Sequence, residues 1–340
     1  MSLFGEERLT PWQKEPFAQI TSQFQQGKLP HSILMLGEDG VGREDFCEFV
    51  AQWMLCAADD KASGACGQCK SCQLFEAETH PDYHKLAVEE GKTQISVAQV
   101  RELIEHMQES SHQAGWKLAN ITNVHALNAS SFNALLKTLE EPQPQTLLII
   151  QAEQLQGVPA TIKSRAQIRK VGVTDVSMTR EWLNQRHKFI EQDMETAIQL
   201  FPGAPYKVEA FVEQGEAFKS SEFIFDFADV IQEQQSPMDV ADKWLEELPN
   251  AIFWCQLMFR DVLFVQQGAG QSEVQLKQQH EAVELIANSI SAKGIMLLLN
   301  KIIELQRLIK LKSPANLGAS WQSLLIFSAQ IAKKYKSLAQ

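Results

Sequence analysis

"HSILMLGEDGVGRED", residues 31–45, is the stretch of sequence that decides the fold. Its first part, HSILMLG, predicts a short buried strand that ends at Gly37. Gly37 and Gly42 have four residues between them, as in the phosphate-binding pattern G-x-x-x-x-G-K-[ST]. That pattern continues with Lys and Ser or Thr, whereas this chain continues with Arg43 and Glu44. The stretch therefore predicts a strand, a glycine-rich loop and a helix, with the two positions that handle phosphate and magnesium changed.

The segments around this loop predict an α/β domain. Helical spacing continues after the loop, with one apolar face made by Phe46, Phe49, Val50, Trp53 and Met54. Two further strands are predicted at 116–124 and 145–151, with a helix between them that Asn128 or Ser130 would cap and Pro142 would end. Strands that alternate with helices indicate a parallel sheet. From about residue 175 onward the apolar spacing is helical, and no convincing strand is found.

Size, charge and hydropathy restrict the function. The chain has 340 residues, enough for two or three domains of roughly 100–200 residues each. Its net charge of −11 is no match for DNA, so a nucleic-acid role would need a local basic patch or basic partner chains. The N-terminal segment lacks the features of a signal peptide, and the longest apolar stretches fall short of the ~20 residues of a membrane span. We therefore expect a cytoplasmic protein with no membrane contact.

Four of the six cysteines are clustered. Cys56, Cys66, Cys69 and Cys72 form C-x9-C-x2-C-x2-C, with Gly64 and Gly67 at the bends. Four thiolates complete a tetrahedral zinc shell and leave no open position, so the spacing predicts a structural rather than a catalytic site. An iron–sulfur cluster is the main alternative, and free cysteines are the other.

The remaining candidate ligands have simpler interpretations. Cys47 and Cys255 have no partner in the sequence and are expected to be packed residues. His80 and His84, in HPDYH, are surplus beside four thiolates. We expect them in a turn, with satisfied hydrogen bonds, rather than on a metal.

The chemistry of the loop is unfavourable for ATP. Arg43 keeps a positive charge, but its planar fork does not replace a compact ammonium. Glu44 places a carboxylate where a magnesium-bound hydroxyl is needed. Glu38, Asp39 and Asp45 add three more acids, which would repel a triphosphate if they point inward.

A second requirement for hydrolysis is also missing, because the strand that should end in an acid ends in ITNVHALN, with Asn123 and no carboxylate nearby. We therefore expect the loop, with Gly37, Gly40, Gly42, Arg43 and Glu44, to be a strand-to-helix turn without nucleotide. A weakly occupied nucleotide site and true hydrolysis are the alternatives.

Two motifs in the first half carry a family resemblance. NALLKTLEEP (133–142) followed by PATIKSRA (159–166) resembles the signature region of bacterial clamp-loader subunits, within the AAA+ superfamily. That family shows an Asn-Ala-Leu-Leu-Lys-x-Leu-Glu-Glu-Pro helix, a strand, and then Ser-Arg-Cys. The upstream GKLPHSILMLG (27–37) and the four-cysteine insertion match in order and spacing. The resemblance covers nearly the whole chain, and its strongest motifs lie in 31–166.

The chain departs from the family pattern at two positions. Ala166 replaces the Cys of Ser-Arg-Cys, while Arg165 is kept. In FPGAPYKVEAF (201–211), Tyr206 stands where the ATPase members carry an arginine that contacts their own nucleotide. Those ATPase members, γ and τ, also keep Lys-[ST] in the loop and an acid after the core strand. The resemblance therefore implies a clamp-loader subunit that binds no ATP and is not an enzyme on its own.

The resemblance also implies an architecture: an AAA+-like domain over 1–170 with a zinc module at 56–72, a helical lid over 171–207, and a helical collar over 208–340. Its function would be that of a non-hydrolysing subunit of the DNA polymerase III holoenzyme. Arg165 would act only in trans, at the ATP site of a neighbour, during loading of the sliding clamp onto primed DNA. The implied partners are the γ/τ ATPase subunits and the δ subunit directly, and the clamp and DNA indirectly.

Two other functions are weighed against this one. An active γ/τ-type ATPase would need Lys-[ST] after Gly42 and an acid near Asn123. A zinc-dependent nucleic-acid-binding protein would use the cysteine module directly, with a steep salt dependence. Lys137, Glu140 and Glu141 fit a subunit interface or a place near DNA, and fit a solvated helix face about as well.

Overall fold

The computed structural model describes residues 6–61, 64–112, 115–310 and 316–339. The first five residues of the N-terminal segment discussed above lie outside the described residues. Contacts divide the chain into two compact units, Met1–Lys188 with Phe201–Val208, and Phe189–Leu200 with Glu209–Gln340. The boundaries of the three domains inferred from sequence stay a prediction.

The first unit is built on a parallel sheet. Within the described residues its strands are β1 Ser32–Leu36, β2 Tyr83–Leu86, β3 Lys117–Ile121, β4 Thr146–Ala152 and β5 Gln167–Lys170. Their order is β2-β3-β4-β1-β5, and every neighbouring pair is parallel. The three central strands are buried along their whole length, whereas the two edge strands are partly exposed. The predicted α/β class with a parallel sheet is confirmed.

The strand register places the glycine-rich loop at the carboxyl edge of the sheet. Leu36, the last residue of β1, lies opposite Ala152 of β4 and Lys170 of β5. The Gly37 N–H then donates to the Ala152 carbonyl at 3.2 Å. Ligands of open parallel sheets bind beyond this edge, so the loop occupies the position of a binding site.

Helices pack on the sheet of the first unit. They are α1 Pro11–Gln25, α2 Arg43–Leu55, α3 Lys70–Glu76, α4 Val97–Gln108, α5 Ala129–Glu140, α6 Ala160–Lys163 and α7 Val176–Arg186, with short 3-10 turns at Glu6–Arg8 and Val124–Ala126. The predicted apolar face of α2 is buried. The Asn128 side chain accepts from the Ser131 N–H and caps α5, as predicted, because an amide oxygen satisfies an otherwise free N–H of the first turn.

The second unit is helical wherever it is described. Its helices are α8 Glu191–Leu200, α9 Pro205–Glu213 (which begins in the first unit), α10 Glu216–Ile231, α11 Pro237–Lys243, α12 Leu248–Gln266, α13 His280–Ser289, α14 Ala292–Lys310 and α15 Leu317–Ala339. Its core is aromatic, with Phe223, Phe227, Trp254, Phe259 and Trp321 all inaccessible or nearly so. No strand follows β5 in the described residues, in agreement with the predicted helical C-terminal half.

None of the described helices alone has the length and apolarity that a membrane span needs. The helices His280–Ser289 and Ala292–Ile309 reach that length and composition only when they are taken together across the 109° bend between them.

Candidate functional site

The backbone of the loop depends on its glycines. Gly40 and Gly42 have φ values of 90° and 74°, in the left-handed region that favours glycine. A Cβ on Gly42 would also lie 2.5 Å from Cε2 of Tyr206. The glycine pattern is therefore required by local packing, whether or not the loop holds a ligand.

Arg43 is bound within its own chain. Its Nε donates to Oε1 of Gln151 at 3.1 Å, and its Nη1 donates to the Gly37 carbonyl of the same loop. The Gln151 amide donates in turn to Oδ1 of Asn120 at 2.9 Å, and the Asn120 amide donates to the Tyr83 hydroxyl at 3.1 Å. Gln151 and Asn120 are fully buried. A chain of hydrogen bonds thus runs from the loop through β4 and β3 to β2. The Arg43 guanidinium, which a bound phosphate would need, is part of this chain.

This network was missed in the sequence, although a signal for it is present. Asn120 and Gln151 are polar residues inside strands that are otherwise apolar, KLANI and TLLIIQA. A buried polar side chain must find a hydrogen-bond partner. That rule predicts a polar partner for each of them, but it does not name Arg43.

The four acids of the loop have different surroundings. Glu44 pairs with Lys85 of β2 at 2.9 Å, and Asp39 pairs with Lys207 at 3.0 Å. Asp45 is exposed. Glu38 lines a cleft beside the loop. Two of the four acids are thus held by lysines, so the repulsion expected from four inward-pointing carboxylates is only partly present.

The cleft beside the loop has a volume of about 930 Å³ and is bordered by α1, the ends of β1 and β5, and the start of α7. Several backbone carbonyls of the glycine-rich loop already accept hydrogen bonds from neighbouring residues. Trp12 Nε1 donates to the Val41 carbonyl at 2.9 Å, and Gln13 Nε2 donates to the Gly42 carbonyl at 2.8 Å. The Tyr206 N–H donates to the Gly40 carbonyl at 3.0 Å. Tyr206 therefore lies directly on the two left-handed glycines.

Arg165 follows α6 and precedes β5. Its carbonyl accepts from the buried Ser32 hydroxyl of β1 at 2.9 Å, so its backbone is fixed to the sheet. Its guanidinium is about one-third exposed and pairs with Glu140 at 2.7 Å. Ala166, the departure from the family motif, is buried. On the neighbouring helix α5 and its C-terminal cap, Lys137, Glu140 and Glu141 are all exposed.

The four predicted cysteine ligands come together between α2 and α3. Their sulfur atoms all lie within 4.8 Å of one another. A tetrahedral zinc shell with Zn–S bonds of about 2.3 Å needs sulfur atoms about 3.8 Å apart, which this arrangement permits. Backbone N–H groups point at three of the sulfurs: Cys66 to Cys56 at 3.3 Å, and Cys69 to Cys66 and Cys72 to Cys69 at 3.4 Å each.

The pKa values of three of these thiols are shifted by hydrogen bonds and by burial. The N–H groups of Gln68 and Cys69 lower the pKa of Cys66 to about 6, because they stabilise the thiolate. Burial raises the pKa of Cys56 and of Cys72, since a buried thiolate is poorly solvated. Burial therefore favours the neutral thiol at Cys56 and Cys72, and a cation bound beside them would favour the thiolate.

Lys61 supplies one such charge and was also missed in the sequence. Its Nζ donates to the carbonyls of Met54 and Cys56, at 3.2 Å each. The ammonium lies 5.3 Å and 5.5 Å from the ring centroids of Phe24 and Trp53. These contacts hold a cation beside the cluster.

The histidines and the two other cysteines agree only in part with expectation. His80 is buried and satisfied: its Nδ1 accepts from the Asp82 N–H at 3.0 Å, so its Nε2 donates to the Ser71 hydroxyl at 2.8 Å. His84 lies in β2 rather than in a turn, because HPDYH continues directly into that strand. Cys47 and Cys255 are buried packing residues, as expected.

Comparison with known proteins gives matches over most of the chain. Residues 12–173 match the family described as DNA polymerase III, delta subunit, and residues 216–326 match its C-terminal family, described as DNA polymerase III, delta subunit, C terminal. The DNA polymerase III subunit delta' of Haemophilus influenzae is 35% identical over 222 residues, 64% of this chain and 67% of that protein. Its counterpart in Pseudomonas aeruginosa is 31% identical over 235 residues, 69% and 70% of the two chains.

A solved structure is also similar. The DNA polymerase III gamma subunit-related protein of Thermotoga maritima has 16% identity and a TM-score of 0.40, over 89% of this chain and 95% of that one. Because this TM-score is low, the structural likeness carries no weight, and the family assignment depends on the sequence matches alone.

The parallel sheet, the loop after β1 and the two family matches define the class of this molecule as an α/β subunit of DNA polymerase III. The resemblance to clamp-loader subunits is thereby confirmed. Within that class, the chain belongs to the family of delta prime (δ′) subunits. The metal at the cysteines, the emptiness of the loop and the role of Arg165 stay predictions.

Proposed function

We propose that this chain is a non-hydrolysing clamp-loader subunit in the bacterial cytoplasm. It binds no ATP, and it contributes Arg165 to the ATP site of a neighbouring γ/τ-type subunit. With the δ subunit, the complex loads the sliding clamp onto primed DNA. The observation that carries this proposal is the binding of Arg43 to Gln151 and Gly37, inside the chain's own loop.

Nucleotide binding would have to undo that arrangement. A phosphate needs the Arg43 guanidinium, but each hydrogen bond that a charged group gives up costs about 1.5–3 kcal/mol. The carboxylate of Glu44 replaces the hydroxyl that would hold magnesium. Tyr206 adds a steric barrier, since its ring lies against Gly42. The charge, the metal ligand and the space for phosphate are therefore all unfavourable.

We expect no heat of binding when the purified chain is titrated with Mg-ATP up to millimolar concentration. The double variant Arg43→Lys/Glu44→Thr restores the residue types of the binding pattern, yet it should also bind no better than millimolar, because Tyr206 still covers Gly42. Titration calorimetry of the unmodified chain and of the double variant measures the affinity for Mg-ATP. Micromolar binding by the unmodified chain would overturn the proposal, and micromolar binding by the double variant alone would exclude Tyr206 as the barrier.

Arg165 is suited to act on a neighbour. Its side chain is about one-third exposed, and its backbone is fixed to β1 through Ser32, so the position from which the guanidinium extends is defined. A guanidinium brought to a transferring phosphoryl group stabilises the charge that develops there. An arginine at the edge of this subunit, next to the adjoining subunit's nucleotide, would perform that task.

We propose further that the cysteine cluster binds a structural zinc ion through Cys56, Cys66, Cys69 and Cys72. The segment that carries them has a very small apolar core, in which Cys56, Ala65 and Cys72 are the buried members. When bound, the ion would supply the cross-link that such a segment lacks. Four thiolates leave no coordination position for a substrate, so the site takes no part in catalysis.

The second unit corresponds to most of the predicted helical collar, the part that would join this chain to the other subunits of the complex. Helix α14 exposes three large apolar side chains, Met296, Leu297 and Ile303, of which Ile303 is 57% exposed. Exposed apolar groups of this size on one helix favour packing against another subunit. Met296 and Ile303 are seven residues apart and lie on one face of α14, and we propose that this face contacts a neighbouring collar.

The variant Ile303→Asp should weaken assembly with the γ/τ-type and δ subunits by about tenfold or more, which is a typical cost at the centre of an interface. Its thermal unfolding should be unchanged, because the side chain is exposed. Ile190→Asp is the matched control, since Ile190 is 68% exposed elsewhere in the second unit. Analytical gel filtration and sedimentation measure assembly. Equal losses from the two variants would argue against the α14 face.

A further inference from the structure

Arg165 is bound to its own chain by three acceptors. Its Nη2 donates to Oε1 of Glu140 at 2.7 Å. Its Nη1 donates to the Thr161 carbonyl and to the Ser164 hydroxyl, at 3.2 Å each. A guanidinium has five N–H donors, so a large part of its hydrogen-bonding capacity is already used. An arginine that acts on a neighbour's phosphate must first give up part of this set.

The backbone on both sides of the ion pair is held by two consecutive residues, His31 just before β1 and Ser32 at its start. His31 Nε2 donates to the Leu139 carbonyl at 3.1 Å, one residue before Glu140. Ser32 donates to the carbonyl of Arg165 itself at 2.9 Å. Ser32 and Leu139 are buried, whereas the Arg165 and Glu140 side chains are partly exposed. The spacing of Glu140 and Arg165 is thus set by the sheet, and their side chains can exchange partners without any backbone change.

The pair is of a strength that a phosphate can displace. The side chains of Arg165 and Glu140 are 34% and 49% exposed. Exposed pairs of this kind shift an equilibrium by only about 1.5- to 5-fold. A nucleotide phosphate carries more charge than a carboxylate and binds a guanidinium through two parallel hydrogen bonds. The phosphate therefore replaces the carboxylate once it comes within reach.

We propose that Glu140 holds Arg165 on its own chain until a neighbour's nucleotide phosphate displaces the carboxylate, so that Glu140 sets the ATP concentration at which the shared site becomes active. This inference rests on the proposed role of Arg165 in trans. It assigns Glu140, the first acid of the LEEP segment, as a positioning residue that competes with the nucleotide.

The test uses the complex reconstituted with its γ/τ-type and δ subunits, and measures ATPase rate against ATP concentration. Glu140→Gln removes the competing charge and should lower the half-maximal ATP concentration about 2- to 5-fold. The effect should shrink as salt is added, because exposed charges are screened. Glu141→Gln is the matched control, because it removes an exposed carboxylate at the C-cap of α5 and leaves the pair between Glu140 and Arg165 intact. In the presence of Arg165→Ala, Glu140→Gln should have no further effect.

Each other result has a defined meaning. If Arg165→Ala slows the complex while Glu140→Gln leaves the half-maximal ATP concentration unchanged or raises it, the inference is wrong and the proposed function stands. If Arg165→Ala has no effect, the proposed function fails and the inference fails with it.

A second measurement needs no partner. In the isolated chain, Glu140→Gln should speed the modification of Arg165 by phenylglyoxal severalfold, as read by mass spectrometry of the peptide. An unchanged rate would overturn the inference whatever the complex does.

Discussion

Replacing Arg165 with alanine is expected to abolish most of the ATP hydrolysis at the site that this chain completes, while the complex stays assembled. An arginine supplied by a neighbour contributes about 10³–10⁵-fold in other phosphoryl-transfer proteins. The side chain is about one-third exposed and its partners Glu140, Thr161 and Ser164 lie at the surface, so its loss leaves no enclosed cavity. Single-turnover hydrolysis by the reconstituted complex measures the effect. The total ATPase rate of the complex should fall by the fraction that this one site contributes.

Two further variants separate a specific role from a general effect of charge. Arg165→Lys keeps the charge but loses the planar fork, so it should recover little of the rate. Lys163→Ala removes an exposed cation two residues away and should leave the rate unchanged. A normal rate in Arg165→Ala, or an equal loss in Lys163→Ala, would exclude the in-trans role.

Removal of the proposed zinc ion should have the largest effect on stability. Structural zinc contributes on the order of 10 kcal/mol in small zinc-binding peptides. The cysteine segment has little apolar core to replace that contribution. Stripping with a chelator, or Cys66→Ser, should therefore lower the melting temperature of the chain by many degrees. The amides of 56–61 and 64–72 should lose their protection from hydrogen exchange, while the sheet keeps its own.

Metal analysis of the purified chain accompanies this experiment and should give one zinc per molecule. Cys47→Ala is the matched control, because Cys47 is a buried cysteine outside the cluster, and its zinc content should be normal. Iron with visible charge-transfer absorption would favour the iron–sulfur alternative. A chain without any metal that keeps its full stability would contradict the proposed site.

The sequence predicts the centre of the sheet better than its edges. β1, β3 and β4 are covered on both faces, so most of their residues are apolar and the strands can be recognised despite Asn120 and Gln151. The edge strands β2 and β5 read YHKL and QIRK, and at least half of the residues in each are not fully buried. Their strand state depends on pairing with β3 and β1, which is a property of the fold rather than of their own composition.

The candidate sites differ in the same way. The cysteines are close in sequence, so their spacing alone predicted that they meet. The partners of Arg43 and Arg165 come from other strands, Gln151 from β4 and Ser32 from β1. Sequence indicated that Arg43 was a poor phosphate ligand, but it did not indicate that the chain itself satisfies the guanidinium. That fact depends on the strand order, which no local pattern contains.

The hydrogen bonds of Arg43 have a consequence for how the subunit responds to the energy state of the cell. A protein that binds nucleotide only when folded becomes more stable as the nucleotide concentration rises. Here the group that accepts the loop cation is Gln151, which is covalently part of the chain and is present at a constant ratio of one to one. If the loop holds no nucleotide, as proposed, the folding free energy of this subunit is independent of the ATP level. We then expect the folded population of this subunit to stay the same when ATP becomes scarce.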